Sequence, residues 1–375
     1  MISLVVRDRC TGCGACEQSC AVGALKMKED EEGFLFPVID EESCVSCNKC
    51  VNVCPVASDK AEAKPADVYA VRAKDEDTVF LSSSGGVFGT LAECVVNAGG
   101  VVFGAGYDEN LCVLHKCATS LQDIGALMGS KYVQSDVRNT YKEIKEYLTE
   151  GKQVLFTGTS CQCAGLKSYL EKDYDNLLLV DFVCHGVPSP ALFKNYLEFM
   201  GQKGEITRVR FRDKTEDKKR GHYISIEYKN APVYRVPSVS DPYMLAFLQN
   251  ISLRRCCYEC SFKAFKSGSD ITIGDFWGLS KTDSPLREKD GVSLCAINTE
   301  KGRHFFEKIK DKIDSDPRTL EEALGENRAI ITSTKKNPLR EKYLMDMHKM
   351  NIKKLNDKYC SNSFGAKIRR FIAKA

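Results

Sequence analysis

Eight cysteines near the start of the chain are spaced as metal ligands. Cys10, Cys13, Cys16 and Cys20 follow C-x2-C-x2-C-x3-C, and Cys44, Cys47, Cys50 and Cys54 repeat it, with Pro55 after the last. Four soft thiolates at this spacing suit a cubane iron–sulfur centre, because a short tight loop can offer three sulfurs to one face. The fourth sulfur of each run is expected to reach the other centre. Cys10, Cys13, Cys16 and Cys54 would then hold one 4Fe–4S cluster, and Cys44, Cys47, Cys50 and Cys20 the second. Two such centres side by side carry single electrons.

Other uses of cysteine fit less well. A disulfide framework needs an oxidising compartment, yet the start Met1-Ile2-Ser3-Leu4-Val5-Val6-Arg7-Asp8 lacks the basic region, apolar run and cleavage site of a secretion signal. Nineteen cysteines without that signal fit a reducing cytoplasm and metal ligation. Structural zinc usually takes separated C-x2-C pairs rather than runs of four.

The elements that must position these ligands, and whatever lies beyond them, follow from the rest of the pattern. A chain of 375 residues with 43% hydrophobic and 28% charged residues has room for a small module and a full-sized core. No apolar stretch reaches the length needed to cross a bilayer. Residues 1–57 read as the cluster module, with a hairpin over Lys26 to Asp40 turning at Glu32-Gly33. The polar, proline-containing stretch 58–67 suits a linker. Apolar runs at Val68 to Arg72, Gly100 to Phe103, Gln153 to Phe156 and Leu177 to Phe182 read as strands, and Tyr141 to Leu148 has helical spacing. That alternation predicts an α+β or α/β mixed-sheet domain over residues 68–334, more β-rich from Val209 to Val236.

Four segments of this larger domain carry unusual residue choices. In the first, Ser83, Ser84, Gly85 and Gly86 precede a helical run, where free backbone N–H groups can meet an anion or simply be capped. The second contains Ser130, Lys131, Tyr132 and Gln134, able to hold a flavin by charge, stacking and hydrogen bonds, or to form a plain loop. The third is cysteine-based: Thr157-Gly158-Thr159-Ser160-Cys161-Gln162-Cys163 and Asp181-Phe182-Val183-Cys184 lie at strand ends, and Cys256, Cys257 and Cys260 add three more, of which Cys257 and Cys260 have chelating spacing. Strand ends of an open sheet are where ligands gather, so these cysteines can meet in a third cluster or pack separately. In the fourth, Gly274-Asp275 precedes Trp277, the single tryptophan, as a pocket rim or as core.

Taken in order, SSSGG, GSKYVQS, FTGTSCQ, DFVCHGVPS, LRRCCYEC and DITIGDFWG make residues 68–295 resemble the coenzyme F420 hydrogenase/dehydrogenase beta-subunit family, preceded by a two-cluster ferredoxin-like module. The resemblance implies a flavin-binding domain that takes FAD and passes electrons between iron–sulfur clusters and a two-electron organic acceptor, coenzyme F420 or another small molecule. It implies a third 4Fe–4S cluster on Cys161, Cys184, Cys257 and Cys260; Cys257 is preferred to Cys256 because the family's cysteine immediately precedes the aromatic, here Tyr258. It assigns FAD contacts to Ser83, Ser84, Gly85, Gly86, Ser130, Lys131, Tyr132, Gln134, Thr157, Gly158, Thr159 and Asp275. Lys131 and Asp275 are also candidates for proton delivery. Ferredoxin or another redox protein is the expected electron partner. The rival reading is a non-catalytic electron-transfer subunit of a larger redox complex.

The net charge of +3 hides an asymmetry. Residues 335–375 hold twelve Lys and Arg against three acids, which reads as a basic helical tail. Phe364, Ile368, Phe371 and Ile372 share one helical face there, as an end helix packed on the domain or a weak peripheral contact with anionic lipid would require. No nucleic-acid motif accompanies the charge.

Overall fold

A computed structural model describes residues 4, 6–57, 63–214, 223–287 and 291–360. The N-terminal module folds around its cysteines. Strands β1 (Leu25–Glu29) and β2 (Leu35–Ile39) pair antiparallel, with Leu25 opposite Ile39. Asp30 Oδ1 closes the turn between them by accepting from the Glu32 and Phe34 N–H groups at 3.0 and 2.8 Å. Gly33 in that turn has φ of 78°, and a Cβ there would lie 2.2 Å from the Ala191 Cβ of the larger domain. Each cysteine run contains one helical turn, Ala15–Gln18 or Lys49–Asn52, entered through a left-handed residue, Gly14 or Asn48.

The larger domain opens with β3 (Asp67–Ala73), β4 (Val101–Tyr107), β5 (Val113–Ala118), β6 (Val154–Thr159) and β7 (Leu177–Phe182). A three-stranded antiparallel sheet of β8 (Ile206–Asp213), β9 (Tyr223–Tyr228) and β10 (Tyr234–Pro237) follows. The chain then returns to the main sheet as β11 (Ile271–Asp275), β12 (Ser293–Ile297) and β13 (Ile313–Arg318). Strand order in the main sheet is β13-β3-β12-β11-β7-β6-β4-β5. Its centre, β11-β7-β6-β4, is parallel, and both flanks are antiparallel, so the sheet is mixed, as the alternation of elements predicts. β6 and most of β7 are buried on both faces, which explains their unbroken apolar runs. β13, Ile-Asp-Ser-Asp-Pro-Arg, has no such signal; as an edge strand it tolerates polar residues and Pro317.

Helices Val87–Asn97 and Glu300–Lys308 cover one face of the sheet. Helices Thr140–Thr149 and Ser160–Leu170 cover the other, and Ala15 and Val53 of the cluster module are buried in that same core. A separate core joins the three-stranded sheet to helices Pro190–Gly201, Pro242–Leu248, Arg340–Asp346 and Ile352–Tyr359. Leu339, Tyr343, Leu344, Ile352 and Leu355 are buried there, so the basic C-terminal stretch is built into the fold as far as residue 360. Residues 361–375, with Phe364, Ile368, Phe371 and Ile372, lie outside the described residues. Because β6, β7 and β11 run parallel, Thr159, Phe182 and Asp275 end at one edge of the sheet.

Candidate functional site

Burial pushes the Cys13 thiol up to about 11, and the neighbouring charges of Cys10 and Cys54 add to the rise. Cys16 is raised by burial and then by Cys13, Cys10 and Cys54. Cys50 is raised mainly by burial, with Cys47 and Cys20 as charged neighbours. Cys54 thus lies beside the first run and Cys20 beside the second. Thiols raised in this way stay protonated unless a metal draws the protons off.

Cys161, Cys184, Cys257 and Cys260 also converge. Cys161 lies in the first turn of the helix after β6, and Cys184 follows β7. Cys257 sits in the tight turn Arg255–Glu259, with Cys260 at its end. Cys161 is raised by burial and by the charges of Cys260, Cys184 and Cys257. Burial pushes Cys184 up to about 12, and Cys257 and Cys260 add to it. All four line one opening at the sheet edge, together with Thr159 and Asp181. The adjacent thiol Cys256 hydrogen-bonds to Cys257, which holds Cys257 down and Cys256 up. Cys163 stands apart, its Sγ 3.9 and 3.8 Å from the carbonyls of Gly158 and Val180. Among the described residues no three His, Cys, Asp or Glu side chains close on a single-ion site. Each set gathers soft sulfur donors from separate segments of the chain.

The two regions are locked together. Val56, Ala164 and Phe262 form a small apolar core against which Cys54, Cys161 and Cys260 all pack. Gln18 Oε1 of the module accepts from the Tyr141 and Lys142 N–H groups at 2.9 and 3.3 Å, capping the start of helix Thr140–Thr149 from outside. Arg340 is fully buried and grips Glu32 with Nη1 at 2.9 Å and Nη2 at 2.6 Å. Burial would raise Glu32, yet its bonds to Arg340 and Arg255 outweigh that and bring it down to about 2. Sequence spacing marks the cysteines and the Glu32 turn but not the docking role of Gln18, Glu32 or Arg340. Their signal is only a charged or amide side chain whose partner lies far along the chain.

The segments read as flavin-binding divide in two. Ser83 Oγ accepts from the Ser130 N–H at 2.6 Å, joining the first two segments. Ser84 Oγ donates to the Val292 carbonyl at 2.9 Å, Ser293 Oγ accepts from Gly85 N–H at 2.9 Å, and Gly86 caps helix Val87–Asn97. Lys131 Nζ donates to the Ala126 and Met128 carbonyls at 3.1 and 2.9 Å, and burial brings its pKa down to about 7. Lys214 approaches the same loops, donating to the Val79 and Ser84 carbonyls at 2.8 and 2.7 Å, and burial brings it down to about 8. Two residues before it, Arg212 Nη1 pairs with Asp275 at 2.8 Å, and Tyr132 is also its neighbour. Among the described residues Arg212 Nε is buried without a hydrogen-bond partner.

Gln134 is not part of that group. Its Nε2 donates to the Thr11 carbonyl at 2.9 Å and its Oε1 accepts from Arg254, so it serves the module boundary. The Thr157 carbonyl is bonded to His115 Nε2 at 3.0 Å. Gly158 packs on Gln162, and Thr159 caps the helix that begins at Ser160. Thr159 lines the opening with the cysteines, whereas the Thr157 side chain lies by Gly104, on the face that also carries Leu127.

Comparison with known proteins agrees with a cluster module set before a second domain. Residues 151–322 match the family model for the C terminus of the coenzyme F420 hydrogenase/dehydrogenase beta subunit. Residues 9–58 and 36–86 match two 4Fe-4S dicluster domain models. A subunit of the F(420)H(2) dehydrogenase of Methanosarcina mazei is 23% identical over 341 residues, covering 86% of this chain and 89% of that protein. Ferredoxin-2 of Chlorobaculum tepidum is 42% identical over 57 residues, 14% of this chain and 84% of that protein. A chain of the F420-reducing NiFe hydrogenase complex from Methanosarcina barkeri aligns at 17% identity with a TM-score of 0.47, covering 79% of this chain and 93% of that one. No helix among the described residues is long and apolar enough to cross a membrane. The chain thus sets a 4Fe–4S dicluster domain ahead of a mixed α/β domain whose residues 151–322 match the C-terminal model of the coenzyme F420 hydrogenase/dehydrogenase beta subunit.

Proposed function

We propose that the chain is an iron–sulfur flavoprotein oxidoreductase that passes electrons between ferredoxin, or another one-electron redox protein, and a two-electron organic acceptor such as coenzyme F420. The observation that carries this reading is the meeting of Cys54, Cys161 and Cys260 on the apolar core of Val56, Ala164 and Phe262. It brings the ferredoxin-type cysteines against a second thiol set at the edge of the large sheet. In this reading Cys10, Cys13, Cys16 and Cys54 hold one 4Fe–4S cluster, and Cys20, Cys44, Cys47 and Cys50 another. Cys161, Cys184, Cys257 and Cys260 hold a third. FAD, when bound, supplies the exchange between one-electron and two-electron chemistry.

The residues around Arg212 suit that cofactor. Ser83, Ser84 and Ser130 fix two loops against each other. Lys214 and Arg212 place positive charge beside them, and Asp275 orients the Arg212 guanidinium. Lys131 is suited to proton transfer because burial brings its pKa near neutrality. Anaerobic protein should contain about twelve irons rather than about eight and release FAD on denaturation. It should also reduce a two-electron acceptor at the expense of reduced ferredoxin. Cluster-replete protein without flavin would end the flavoprotein reading.

A second reading is favoured by the Methanosarcina mazei relative, which is named as one subunit of a dehydrogenase and matches nearly its whole length. The chain would then relay electrons within a larger complex, with the acceptor reduced elsewhere. Acceptor reduction by the isolated chain separates the two.

A further inference from the structure

Arg254 is a buried guanidinium with no carboxylate partner among the described residues. Its Nε donates to the Cys10 carbonyl at 2.8 Å, its Nη1 to Gln134 Oε1 at 3.1 Å and its Nη2 to the Leu35 carbonyl at 2.9 Å. All three acceptors are neutral. The group lies over the rings of Phe36 and Phe34, 4.2 and 5.3 Å from their centroids, and only 1% of the residue is exposed. The acid of the neighbouring turn, Glu32, is taken by Arg340 and Arg255. Burying a cation in this way is too costly unless an anion compensates it. The thiol it touches is that of Cys10, with Nη2 3.7 Å from Sγ; its charge also reaches Cys257 and Cys256.

We propose that Arg254 is the counter-cation of the centre held by Cys10, Cys13, Cys16 and Cys54. In that role it raises this centre's reduction potential. The inference rests on the cluster assignment given above. Reduction adds negative charge to a thiolate-bound centre, so a fixed cation and an N–H···S bond favour the reduced form. The other set differs in its surroundings, since its Cys47 is exposed. Arg254 acts here as a positioning and tuning residue, held in place by Gln134 and by stacking on Phe36.

The test is a redox titration of anaerobic, full-length protein with its clusters in place, followed by low-temperature electron paramagnetic resonance. Cys13→Ser identifies the signal of the Arg254-linked centre. In Arg254→Gln, the oxidised-to-reduced ratio of that centre at a fixed potential should rise about tenfold, equivalent to about 59 mV for one electron. The signal of the other ferredoxin-type centre should stay in place, and Arg254→Lys should recover part of the shift. An unchanged potential in Arg254→Gln protein that retains its clusters overturns the proposal. Wild-type protein labelled with nitrogen-15 arginine gives an independent reading, since the guanidinium nitrogen should couple to the reduced centre; absence of that coupling also overturns it. Iron analysis showing no cluster in the module would instead remove the functional reading beneath it.

Discussion

The Cys13 thiol lies against Gly165, where a Cβ would stand 2.9 Å from Sγ. Gly165 is four residues after Cys161 in the same helix. The two positions therefore share a face, about 6 Å apart along the axis. The first cysteine set and the sheet-edge set are joined by one helical turn.

Gly165→Ala tests that contact. Alanine is the better helix former, so any loss reflects crowding against Cys13. The expected cost is about 1–3 kcal/mol in a denaturant titration, with loss of iron from the first centre. A variant as stable and iron-rich as wild type would show that the contact does not constrain the module.

The sheet-edge thiols should separate by chemistry. Cys161→Ser, Cys184→Ser, Cys257→Ser and Cys260→Ser are each expected to lose about four irons per chain. Cys163→Ser and Cys256→Ser should keep them, because Cys163 faces carbonyls and Cys256 is the donor to Cys257. Iron and sulfide analysis reads the difference. Equal loss in Cys256→Ser and Cys257→Ser would reassign the ligand set.

Glu32 holds the module to the C-terminal helices through Arg340 and Arg255. Glu32→Ala leaves the fully buried Arg340 with only Glu341, at 3.8 Å, as an acid, at an expected cost on the order of 3 kcal/mol. The folded-state pKa is held down to about 2 against an ordinary 4.5. Its contribution is therefore present above about pH 4.5 and is lost as pH falls toward 2. Urea midpoints across that window should slope less in the variant than in wild type.

His115 gives a second, separate acid response. Burial brings its pKa down to about 4 from 6.5, and its ring is bonded to the Thr157 carbonyl and near Ser135 Oγ. The unfolded chain takes up the proton first as pH falls. Stability is thus full above about 6.5 and declines toward pH 4 by an amount on the order of 3 kcal/mol. His115→Gln should flatten the dependence in that window, as read by thermal melts at several pH values.

The eight N-terminal cysteines were legible because a cluster loop is a local object, written in spacings of two and three residues. The central strands were legible too, since β6 and β7 are buried on both faces and must be apolar throughout. Strand ends followed from them, and with them Cys161, Cys184 and Asp275. Other features have no local signature. β13 is a polar edge strand, recognisable only once β3 offers it a partner. Gln134, Arg254 and Glu32 stand in segments that the sequence marks, and Gln18 stands in the first cysteine run, but their use in joining module to sheet appears only once folding buries them at that boundary. Which cysteines become neighbours, which amide is spent on docking, and where a buried cation finds its anion depend on contacts between residues far apart in the chain. Spacing encodes the ligands of a loop; only tertiary packing, which sets burial and therefore charge pairing, decides what those loops face.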